Sequence, residues 1–342
     1  MARIVTFGEI MLRLKSPGQE RLLQSPRLEA TFGGGEANVA VALARFGRDV
    51  SFVSVVPGNQ IGDACLGELR KHGVDVTGVV RKGNRLGIYF LEAGANQRPS
   101  VVVYDRAGSA MGEAKIGDID WDSAFEGASW FHITGITPAI SLDAAALSIE
   151  SVKAAKAHGV KVSCDLNYRK NLWKYGKEAP EVMGEMMNYV DLLIANEEDC
   201  QKALGLGMAS GVESGHLDPA RYDDLTKEVI LRYPNLSGVA ITLRESVSAD
   251  VNGWSAVLRT KAGFLRSKRY EIRDIVDRVG SGDTFAAGIL FGFSGSENDR
   301  DALEFATAAA CLKHSIPGDL PLLTCAEVRA LAGGSDSGRV QR

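Results

Sequence analysis

The sequence predicts an α/β fold in which a mostly parallel sheet is covered by helices on both faces. From about residue 130 onward, short apolar runs alternate with stretches of helical period, a pattern typical of parallel strands joined by helices. The first third adds short strand-like segments separated by polar turns, which indicates a second, smaller sheet. A length of 342 residues, with 45% hydrophobic and 24% charged residues, suits one large domain with such an elaboration.

In the alternating part, the strands are short apolar runs and the helices carry apolar residues at a 3.6-residue period. The predicted strands are 130–134, 160–166, 191–195 and 239–243, and the predicted helices are 142–158, 197–204, 225–233, 283–293 and 300–314. In the first third, one βα unit is predicted, with helices over 36–46 and 61–72 and a strand over 50–56 between them. The strand-like segments 9–14, 21–32, 86–92 and 100–104 lie outside this alternation, and we expect a small antiparallel sheet.

Charge and composition exclude several classes of partner. The 39 Lys+Arg and 43 Asp+Glu give a formal net charge of −4, so no basic field attracts nucleic acid or an anionic membrane. No run of about 18 apolar residues is present to span a bilayer, and Glu9 interrupts the N-terminal apolar stretch before a signal sequence could form. The five cysteines and five histidines are scattered and are interpreted as structural. We therefore expect a cytoplasmic protein whose partners are small molecules.

The strongest local motif is the segment 277–288, with the sequence DRVGSGDTFAAG. Small residues at Gly280, Ser281 and Gly282 allow backbone N–H groups to converge at a helix N-terminus, which favours a phosphate or a developing oxyanion. Asp283 would lie beside that anion, a costly position unless its carboxylate removes a proton from an attacking hydroxyl. A glycine-rich turn in which Asp283 is a helix-terminal acid explains the same residues equally well.

A second glycine cluster, GGGEAN over residues 33–38, opens the helix predicted at 36–46. Glycines permit close approach of the backbone to a ligand, and the Asn38 amide can both donate to and accept from a sugar hydroxyl. Taken alone, the cluster more often marks a simple strand-to-helix turn. Its spacing differs from the dinucleotide fingerprint, which disfavours a nicotinamide cofactor.

Together, the two clusters resemble the two signatures of the ribokinase family, also called the PfkB family of sugar kinases, over residues 3 to about 331. Arg278 and Ser281 depart from the residues usual at their positions, but neither removes a backbone donor. The resemblance implies a three-layer α/β/α domain over residues 1–331 and a β-sheet lid built from about 9–32 and 86–106. A homo-oligomer formed through that lid is a further expectation. The Gly- and Ser-rich tail 332–342 is expected to be disordered.

Within the family, several segments resemble kinases that act on 2-keto-3-deoxygluconate, among them 103–106 (VYDR) and 165–169 (DLNYR). That resemblance implies a sugar-acid pocket lined by Gly34, Asn38, Tyr89, Tyr104, Arg106, Arg169, Asp283 and Asp319. The guanidinium of Arg106 would bind the substrate carboxylate through charge-assisted hydrogen bonds. Without the resemblance, Tyr89 and Tyr104 read as cross-strand packing and Arg106 as a solvated turn residue.

The same resemblance implies ATP as the phosphoryl donor and Mg²⁺ as its cofactor, and it leaves a monovalent-cation requirement open. Mg²⁺ would be placed by Asn196 and Asp199, largely through water, although Asp199 stands where the family has Glu. The nucleotide would contact Asn196, Thr242, Arg244, Gly280, Gly282 and Thr307. The segment 242–248 carries Arg244 and Glu245 in place of a usual glycine, so its individual contacts stay open.

The resulting hypothesis is an ATP-dependent kinase that phosphorylates the terminal, C6, hydroxyl of 2-keto-3-deoxygluconate. Asp283 would be the general base, the amides of residues 280–282 would stabilise the transferred group, and Arg169 would assist near the phosphate. One alternative is a kinase for a neutral sugar such as fructose. The other is a sugar- or nucleotide-binding regulator that performs no catalysis, although such a protein has no need of a base at position 283.

Overall fold

A computed structural model of the chain describes residues 3–206, 219–295 and 297–335. Within these residues the strands are β1 (Arg3–Phe7), β2 (Met11–Lys15), β3 (Glu29–Gly33), β4 (Asp49–Val53), β5 (Val55–Val56), β6 (Val80–Arg81), β7 (Ile88–Glu92), β8 (Val101–Asp105), β9 (Ala128–Thr134), β10 (Lys161–Asp165), β11 (Leu192–Ala195), β12 (Gly238–Ser246), β13 (Asn252–Thr260), β14 (Gly263–Arg266) and β15 (Tyr270–Ile272). The helices are α1 (Gly35–Arg45), α2 (Gln60–Lys71), α3 (Trp121–Phe125), α4 (Leu142–Ala157), α5 (Ala179–Met187), α6 (Glu197–Leu204), α7 (Pro219–Arg232), α8 (Ser281–Phe293), α9 (Asp299–Lys313) and α10 (Cys325–Ala332), with one 3₁₀ turn at Thr137–Ala139.

The main sheet has the strand order β14-β13-β12-β11-β10-β9-β1-β4, and β15 also pairs with β13. Strands β4, β1, β9, β10, β11 and β12 run parallel to one another, whereas β13, β14 and β15 pair antiparallel. The predicted α/β class with a mostly parallel sheet is therefore confirmed. The antiparallel strands were not assigned from the sequence, because β13 is buried along most of its length and shows no clear alternation of polar and apolar residues.

Helices cover both faces of this sheet and produce two cores. One core contains apolar residues of α1, α2, α8, α9 and α10, and the other contains those of α3 to α7. Successive residues of β1 point into opposite cores: Ile4 packs in the first core and Val5 in the second. Both side chains are fully buried. This double coverage explains why the strands read as continuous apolar runs in the sequence.

The smaller sheet has the order β3-β2-β7-β8. Its outer pairs are antiparallel, but β2 and β7 pair in parallel, so the expectation of an antiparallel sheet was wrong at this position. The reason is the connection, because the chain passes through a complete βα unit between these two strands and can return in the same direction. We call these four strands the small sheet.

Several sequence expectations differ from the structure at their boundaries; for example, the helix predicted over 225–233 begins earlier, at Pro219. Of the predicted strand-like segment 21–32, only the part from Glu29 onward is a strand, and the preceding turn includes Leu23 at a φ of 61°. At the other end, α10 extends to Ala332, and from residue 336 onward the predicted tail lies outside the described residues, as does His216. None of the helices over the described ranges is both long and apolar enough to cross a membrane.

Close packing between α8 and α9 fixes the helix whose N-terminus carries the DRVGSGD motif. A Cβ on Gly288 would lie 2.5 Å from the Cα of Ala306 and 2.9 Å from its Cβ, so the helices approach through a glycine and an alanine. Gly67 in α2 differs, because no atom lies within 4 Å of the position of its Cβ. Alanine substitutions at these two positions therefore distinguish the effect of close packing on stability from the effect of helix propensity.

We expect Gly288→Ala to destabilise the protein by roughly 1–3 kcal/mol through overpacking, although alanine is the better helix former. Gly67→Ala is the matched control and should stabilise by about 0.5–1 kcal/mol, because it gains propensity without a clash. Urea denaturation of both variants measures the free energy of unfolding. A Gly288→Ala variant as stable as the Gly67→Ala variant would contradict the described contact between α8 and α9.

Candidate active site

A cavity of about 550 Å³ lies between the small sheet and the ends of β10, β11 and β12, a volume typical of small-molecule sites. The N-termini of α1 and α8 both open onto it. The predicted site residues on its wall are Gly34, Asn38, Tyr89, Tyr104, Arg169, Asn196, Asp199, Thr242, Arg244, Gly280, Ser281, Gly282, Asp283 and Asp319. The fold thus brings together residues separated by up to about 285 positions.

The turn before α8 has the geometry that an anion site requires. Gly280 has a φ of +84°, and a Cβ there would lie 2.2 Å from the backbone oxygen of Asp319, so only glycine fits. α8 begins at Ser281, and its first N–H groups have no acceptor within the helix. A Cβ on Gly282 would meet no atom within 4 Å, so a ligand can approach its backbone. The N-terminal dipole of α8 adds a partial positive charge at this position.

Asp283 is buried in the first turn of α8 beside this anion site. The Nδ2 of Asn38, in α1, donates to its Oδ2 at 2.7 Å. Burial raises the pKa of the Asp283 carboxyl to about 6, while the hydrogen bond from Asn38 opposes that rise. A carboxylate with this pKa is ionised at neutral pH and is a stronger base than an exposed aspartate, so it suits proton removal from a substrate hydroxyl.

Two further buried carboxylates, Asp165 and Asp199, share the wall of the cavity. Burial raises the pKa of Asp165, and the negative charges of Asp199 and Asp283 add to that effect. Burial also raises the pKa of Asp199 to about 6. Asp199 accepts hydrogen bonds from the backbone N–H groups of Tyr168 and Asn196, at 2.9 and 3.1 Å. The site therefore concentrates negative charge that a cation would compensate.

Residues of the small sheet form the opposite half of the cavity wall. Met11, Tyr89, Val102 and Tyr104 reach the cavity from β2, β7 and β8. Tyr89 is only 4% exposed, and its hydroxyl has no hydrogen-bond partner among the described residues. Its ring centroid lies 6.0 Å from that of Tyr104. A buried hydroxyl without a partner, on the wall of a cavity, fits a hydroxyl or carboxylate oxygen of a bound ligand.

Arg106 does not lie on the wall, unlike the sequence expectation for it. Its guanidinium is 7% exposed and pairs with Glu9, with Nε donating to Oε2 at 2.8 Å and Nη2 donating to the same oxygen. This pair could not be predicted from the sequence, because 97 residues separate its members. The guanidinium carbon lies 5.7 Å from the ring centroid of Tyr104, directly behind the wall.

The half of the wall that the sequence predicts to hold the nucleotide includes the start of α6. Asn196 and Asp199 form a capping box, in which each side chain accepts a hydrogen bond from the backbone N–H of the other. Thr307 does not reach the cavity, because its fully buried hydroxyl donates to the backbone oxygen of Leu303 one turn earlier in α9. The sequence placed Thr307 near an adenine site by position along the chain, which does not determine the direction of a side chain.

Arg169, Arg244 and Arg278 also line the cavity, and none forms an ion pair with a described carboxylate. Arg244 donates to the Ser281 hydroxyl at 3.2 Å, so one guanidinium lies directly at the anion site. Arg278 donates to the backbone oxygens of Ser248 and Ala249. The positive charges of Arg244 and Arg278 are therefore available to bind an anion.

Sequence reasoning missed Glu36, although it lies inside the GGGEAN motif. Its carboxylate is 1% exposed, and Oε1 accepts hydrogen bonds from the N–H and hydroxyl of Thr134 and from the hydroxyl of Thr137, at 2.8 to 3.0 Å. These bonds hold the N-terminus of α1 against the end of β9. A glutamate in the first turn of a helix usually faces solvent, so the sequence alone carried no signal for this contact.

The metal-binding capacity of the site follows from its donors. Within the described residues, no group of three or more His, Cys, Asp or Glu side chains is arranged to hold a metal ion directly. The oxygens of Asp199 already accept two backbone hydrogen bonds, so this carboxylate would act on Mg²⁺ through water. Glu198, on the same turn, is exposed on the cavity wall. These donors fit an octahedral Mg²⁺ that keeps several waters and binds chiefly to phosphates.

Comparison with known proteins extends these observations. A family model described as pfkB family carbohydrate kinase matches residues 1–321. The crystal structure of 2-dehydro-3-deoxygluconokinase from Thermotoga maritima is 48% identical, covers 98% of this chain and 100% of its own, and superposes with a TM-score of 0.92. The 2-dehydro-3-deoxygalactonokinase of Haloferax volcanii is 31% identical over 98% of both chains. Fructokinase from Xylella fastidiosa with bound ATP, at 21% identity, 97% and 98% coverage and a TM-score of 0.78, shares the fold. The resemblance seen in the sequence and the ribokinase-like fold are confirmed.

Replacing Asp283 with asparagine should lower kcat by at least roughly 10²-fold, because the amide cannot accept the proton of the attacking hydroxyl. Steady-state kinetics on the purified Asp283→Asn variant measure this loss. Since burial raises the pKa of Asp283, its ionised form disfavours folding at neutral pH, so the variant should melt no earlier than wild type at pH 7.5. A folded variant with near wild-type turnover would remove Asp283 from the mechanism.

Proposed function

The chain belongs to the pfkB family of carbohydrate kinases, and from that premise we propose that it transfers the γ-phosphoryl group of ATP to the C6 hydroxyl of 2-keto-3-deoxygluconate. The relatives named above include a 2-dehydro-3-deoxygluconokinase and a 2-dehydro-3-deoxygalactonokinase, which act on such sugar acids. Their similarity over nearly the whole chain supports a sugar acid as the acceptor.

One observation carries the proposal. The buried carboxylate of Asp283 lies where the two halves of the cavity meet, bonded to Asn38 of the GGGEAN motif and placed in the first turn behind Gly280. A hydroxyl held near Asn38 would therefore be close to both a base and an anion site. This is the arrangement that in-line transfer of a phosphoryl group to an alcohol requires.

The chemical steps follow from the residues of this chain. Asp283 accepts the proton of the attacking hydroxyl, and Asn38 holds the carboxylate in position. The amides of Gly280, Ser281 and Gly282 donate to the oxygens of the group in transfer, where charge develops. Arg169, exposed on the wall without a carboxylate partner, adds a positive charge close to Asp165 and Asp283. Asn196 and Asp199 would hold Mg²⁺ through water, and the ion would neutralise negative charge on the phosphates of ATP.

Recognition of the sugar acid would use the small sheet and the N-terminus of α1. Tyr89, Tyr104, Asp319 and the backbone of Gly34 supply hydrogen-bonding groups on that half of the wall. The Nε and Nη2 groups of Arg106 donate to Glu9. Among the described residues, the Nη1 group of Arg106 has no hydrogen-bond partner. We assign Nη1 to the substrate carboxylate, reached by a small movement of β8, whose Tyr104 already lies on the wall.

The nucleotide would occupy the half of the cavity between α6, β12 and α8. Thr242 and Arg244 lie on β12 and line this half of the cavity. Asn196, the N-cap residue of α6, lines it beside them. Arg244, through its contact with Ser281, would meet the phosphate chain. Thr307 would support this half from behind, since its hydroxyl is committed inside α9.

The small sheet would act as a lid that covers the sugar and excludes water from the transferred group. Its edge strand β8 also exposes Val101 and Val103 to 41% and 48%, and no strand among the described residues pairs with its outer side. Such an edge suits pairing with a second copy of the chain, which would make the protein a homo-oligomer through its lid. The particle mass in solution, compared with that of a Val103→Lys variant, tests this arrangement.

A kinase for a neutral sugar such as fructose is the second candidate, and the ion pair between Glu9 and Arg106 favours it. Glu9 compensates the charge of Arg106 without any substrate, so a neutral ligand leaves no isolated guanidinium. The two candidates differ in whether Arg106 contributes to substrate selection. A regulator without catalytic activity is set aside by membership in a family of carbohydrate kinases.

A coupled assay of ATP turnover over sugar acids and neutral sugars tests the proposed function. We expect kcat/KM for 2-keto-3-deoxygluconate to exceed that for fructose. Arg106→Leu should raise KM for the acid roughly 10- to 150-fold, the loss of one charge-assisted hydrogen bond, with kcat changed much less. KM for fructose should stay within about twofold of wild type.

Glu9→Gln is the matched control, since it breaks the same ion pair but keeps the guanidinium. It should retain most of the preference for the acid, whereas Arg106→Leu should lose it. Equal effects of both variants on the acid's KM would show that Arg106 acts only through its pair with Glu9, and equal kcat/KM for both sugars in wild type would favour the neutral-sugar candidate.

A further inference from the structure

Arg13, in the centre of the small sheet, carries a charge that is buried against the main domain. Its side chain is 1% exposed although β2 belongs to a sheet of only four strands. Nη2 donates to Oδ2 of Asp277 and Nη1 donates to Oδ1 of Asp319, so one guanidinium bridges two carboxylates. These partners lie 264 and 306 residues away in the sequence.

The two carboxylates belong to the two segments that meet at Gly280. Asp277 accepts the N–H of Val279 on Oδ1 and that of Gly318 on Oδ2, both at 3.1 Å, so it ties the DRVGSGD turn to the segment before Asp319. The position of a Cβ on Gly280 would lie 2.2 Å from the backbone oxygen of Asp319. A displacement of either carboxylate therefore moves the backbone that forms the anion site.

On the other side, Arg13 is joined to the residues that face the sugar half of the cavity. In the parallel pairing of β2 with β7, Arg13 lies opposite Tyr89, and Met11 precedes it by two residues on the same strand. Both Met11 and Tyr89 line the cavity. Because hydrogen bonds join the two strands, a shift of the small sheet onto a ligand moves Arg13 together with Tyr89.

The charges around Arg13 are carried by buried side chains and balance one another. Lys313 is fully buried, its Nζ donates to the backbone oxygen of Ile316 at 3.0 Å, and its Cε lies 3.3 Å from the position of a Cβ on Gly280. Two cations, Arg13 and Lys313, thus lie with two anions, Asp277 and Asp319. A planar fork can reach two carboxylates at once, but an ammonium at position 13 can reach only one.

The geometry points to Arg13 as a positioning residue that couples occupation of the sugar half to the shape of the anion site. Arg13 touches neither substrate, since it is enclosed between the small sheet and the two segments that meet at Gly280. Binding of the sugar fixes the small sheet, the guanidinium fixes Asp277 and Asp319, and these fix the amides of the anion site. The inference rests on the proposed function for the identity of the two ligands.

Coupling of this kind is a ratio of affinities and is measured directly by titration calorimetry. The dissociation constant of the non-hydrolysable analogue β,γ-methylene-ATP with Mg²⁺ is determined with and without saturating 2-keto-3-deoxygluconate. Wild type should bind the analogue at least about fivefold more tightly when the sugar acid is present, within the range usual for coupled sites. In Arg13→Lys this ratio should fall below about twofold and kcat should fall at least tenfold. The affinity for the sugar acid alone should change by less than about threefold.

Arg98→Lys is the matched control. Arg98 lies in the turn between β7 and β8 and pairs with Glu92, and none of its hydrogen bonds or ion pairs reaches Asp277 or Asp319, so its replacement should leave the ratio and kcat unchanged. Asp277→Asn provides a second variant of the same shape, with one arm of the bridge weakened, and should reduce the ratio even if Arg13→Lys fails to fold.

A ratio that stays at the wild-type value in Arg13→Lys or Asp277→Asn, or a wild type without any coupling, would overturn the inference. Failure of the proposed function has a different signature: the wild-type protein would not phosphorylate the sugar acid. The titrations are then repeated with the carbohydrate of the assay panel that wild type does phosphorylate, and the same comparison of ratios decides.

Discussion

The hydrogen bond between Asn38 and Asp283 is the interaction on which the site depends. It joins the first turns of α1 and α8, which belong to the same helical layer and meet at one end of the main sheet. Burial favours the protonated form of this carboxyl group and raises its pKa, whereas the hydrogen bond from Asn38 favours the ionised form. The N-terminus of α8 also favours a negative charge at this position. The result is a carboxylate that is buried at the wall of the cavity and charged at neutral pH. Burial therefore serves the chemistry, at a cost in stability that the large cores on both faces of the sheet offset.

The surrounding structure fixes the two partners of that bond from different directions. Glu36 ties the N-terminus of α1 to the end of β9 through Thr134 and Thr137. The tight contact between Gly288 and Ala306 fixes α8 against α9, and Asp319 packs against Gly280 at its first turn. The small sheet then closes the other side of the cavity, and Arg13 connects it to Asp277 and Asp319 next to the anion site. Rigid elements thus place Asp283, the proposed base, whereas the small sheet supplies the surface proposed to recognise the sugar.

The sequence predicted the part of this arrangement that depends on local pattern. Helical and strand periods identified the α/β layers, and the two glycine clusters identified the turns that hold Asn38 and Asp283, because both motifs are contiguous. Pairings across the chain were not predictable in the same way. The guanidiniums of Arg13 and Arg106 find their partners 306 and 97 residues away, and a lone arginine in a strand pattern gives no sign of which carboxylate it meets. The parallel pairing of β2 with β7 and the inward direction of Thr307 likewise depend on tertiary packing that periodicity does not encode.

The pH dependence of kcat/KM in wild type and in an Asn38→Ala variant tests most directly whether the Asn38 bond sets the basicity of Asp283. Wild type should lose activity as the pH falls through about 6, because protonated Asp283 cannot accept the proton of the hydroxyl. Loss of the Asn38 donor removes an interaction that favours the carboxylate, so the acid limb should move to higher pH whatever the maximal rate becomes. Asp199, whose pKa is also about 6, is bonded to Asn196 and Tyr168 instead, so its titration should stay in place. An acid limb at the same pH in both proteins would contradict the account.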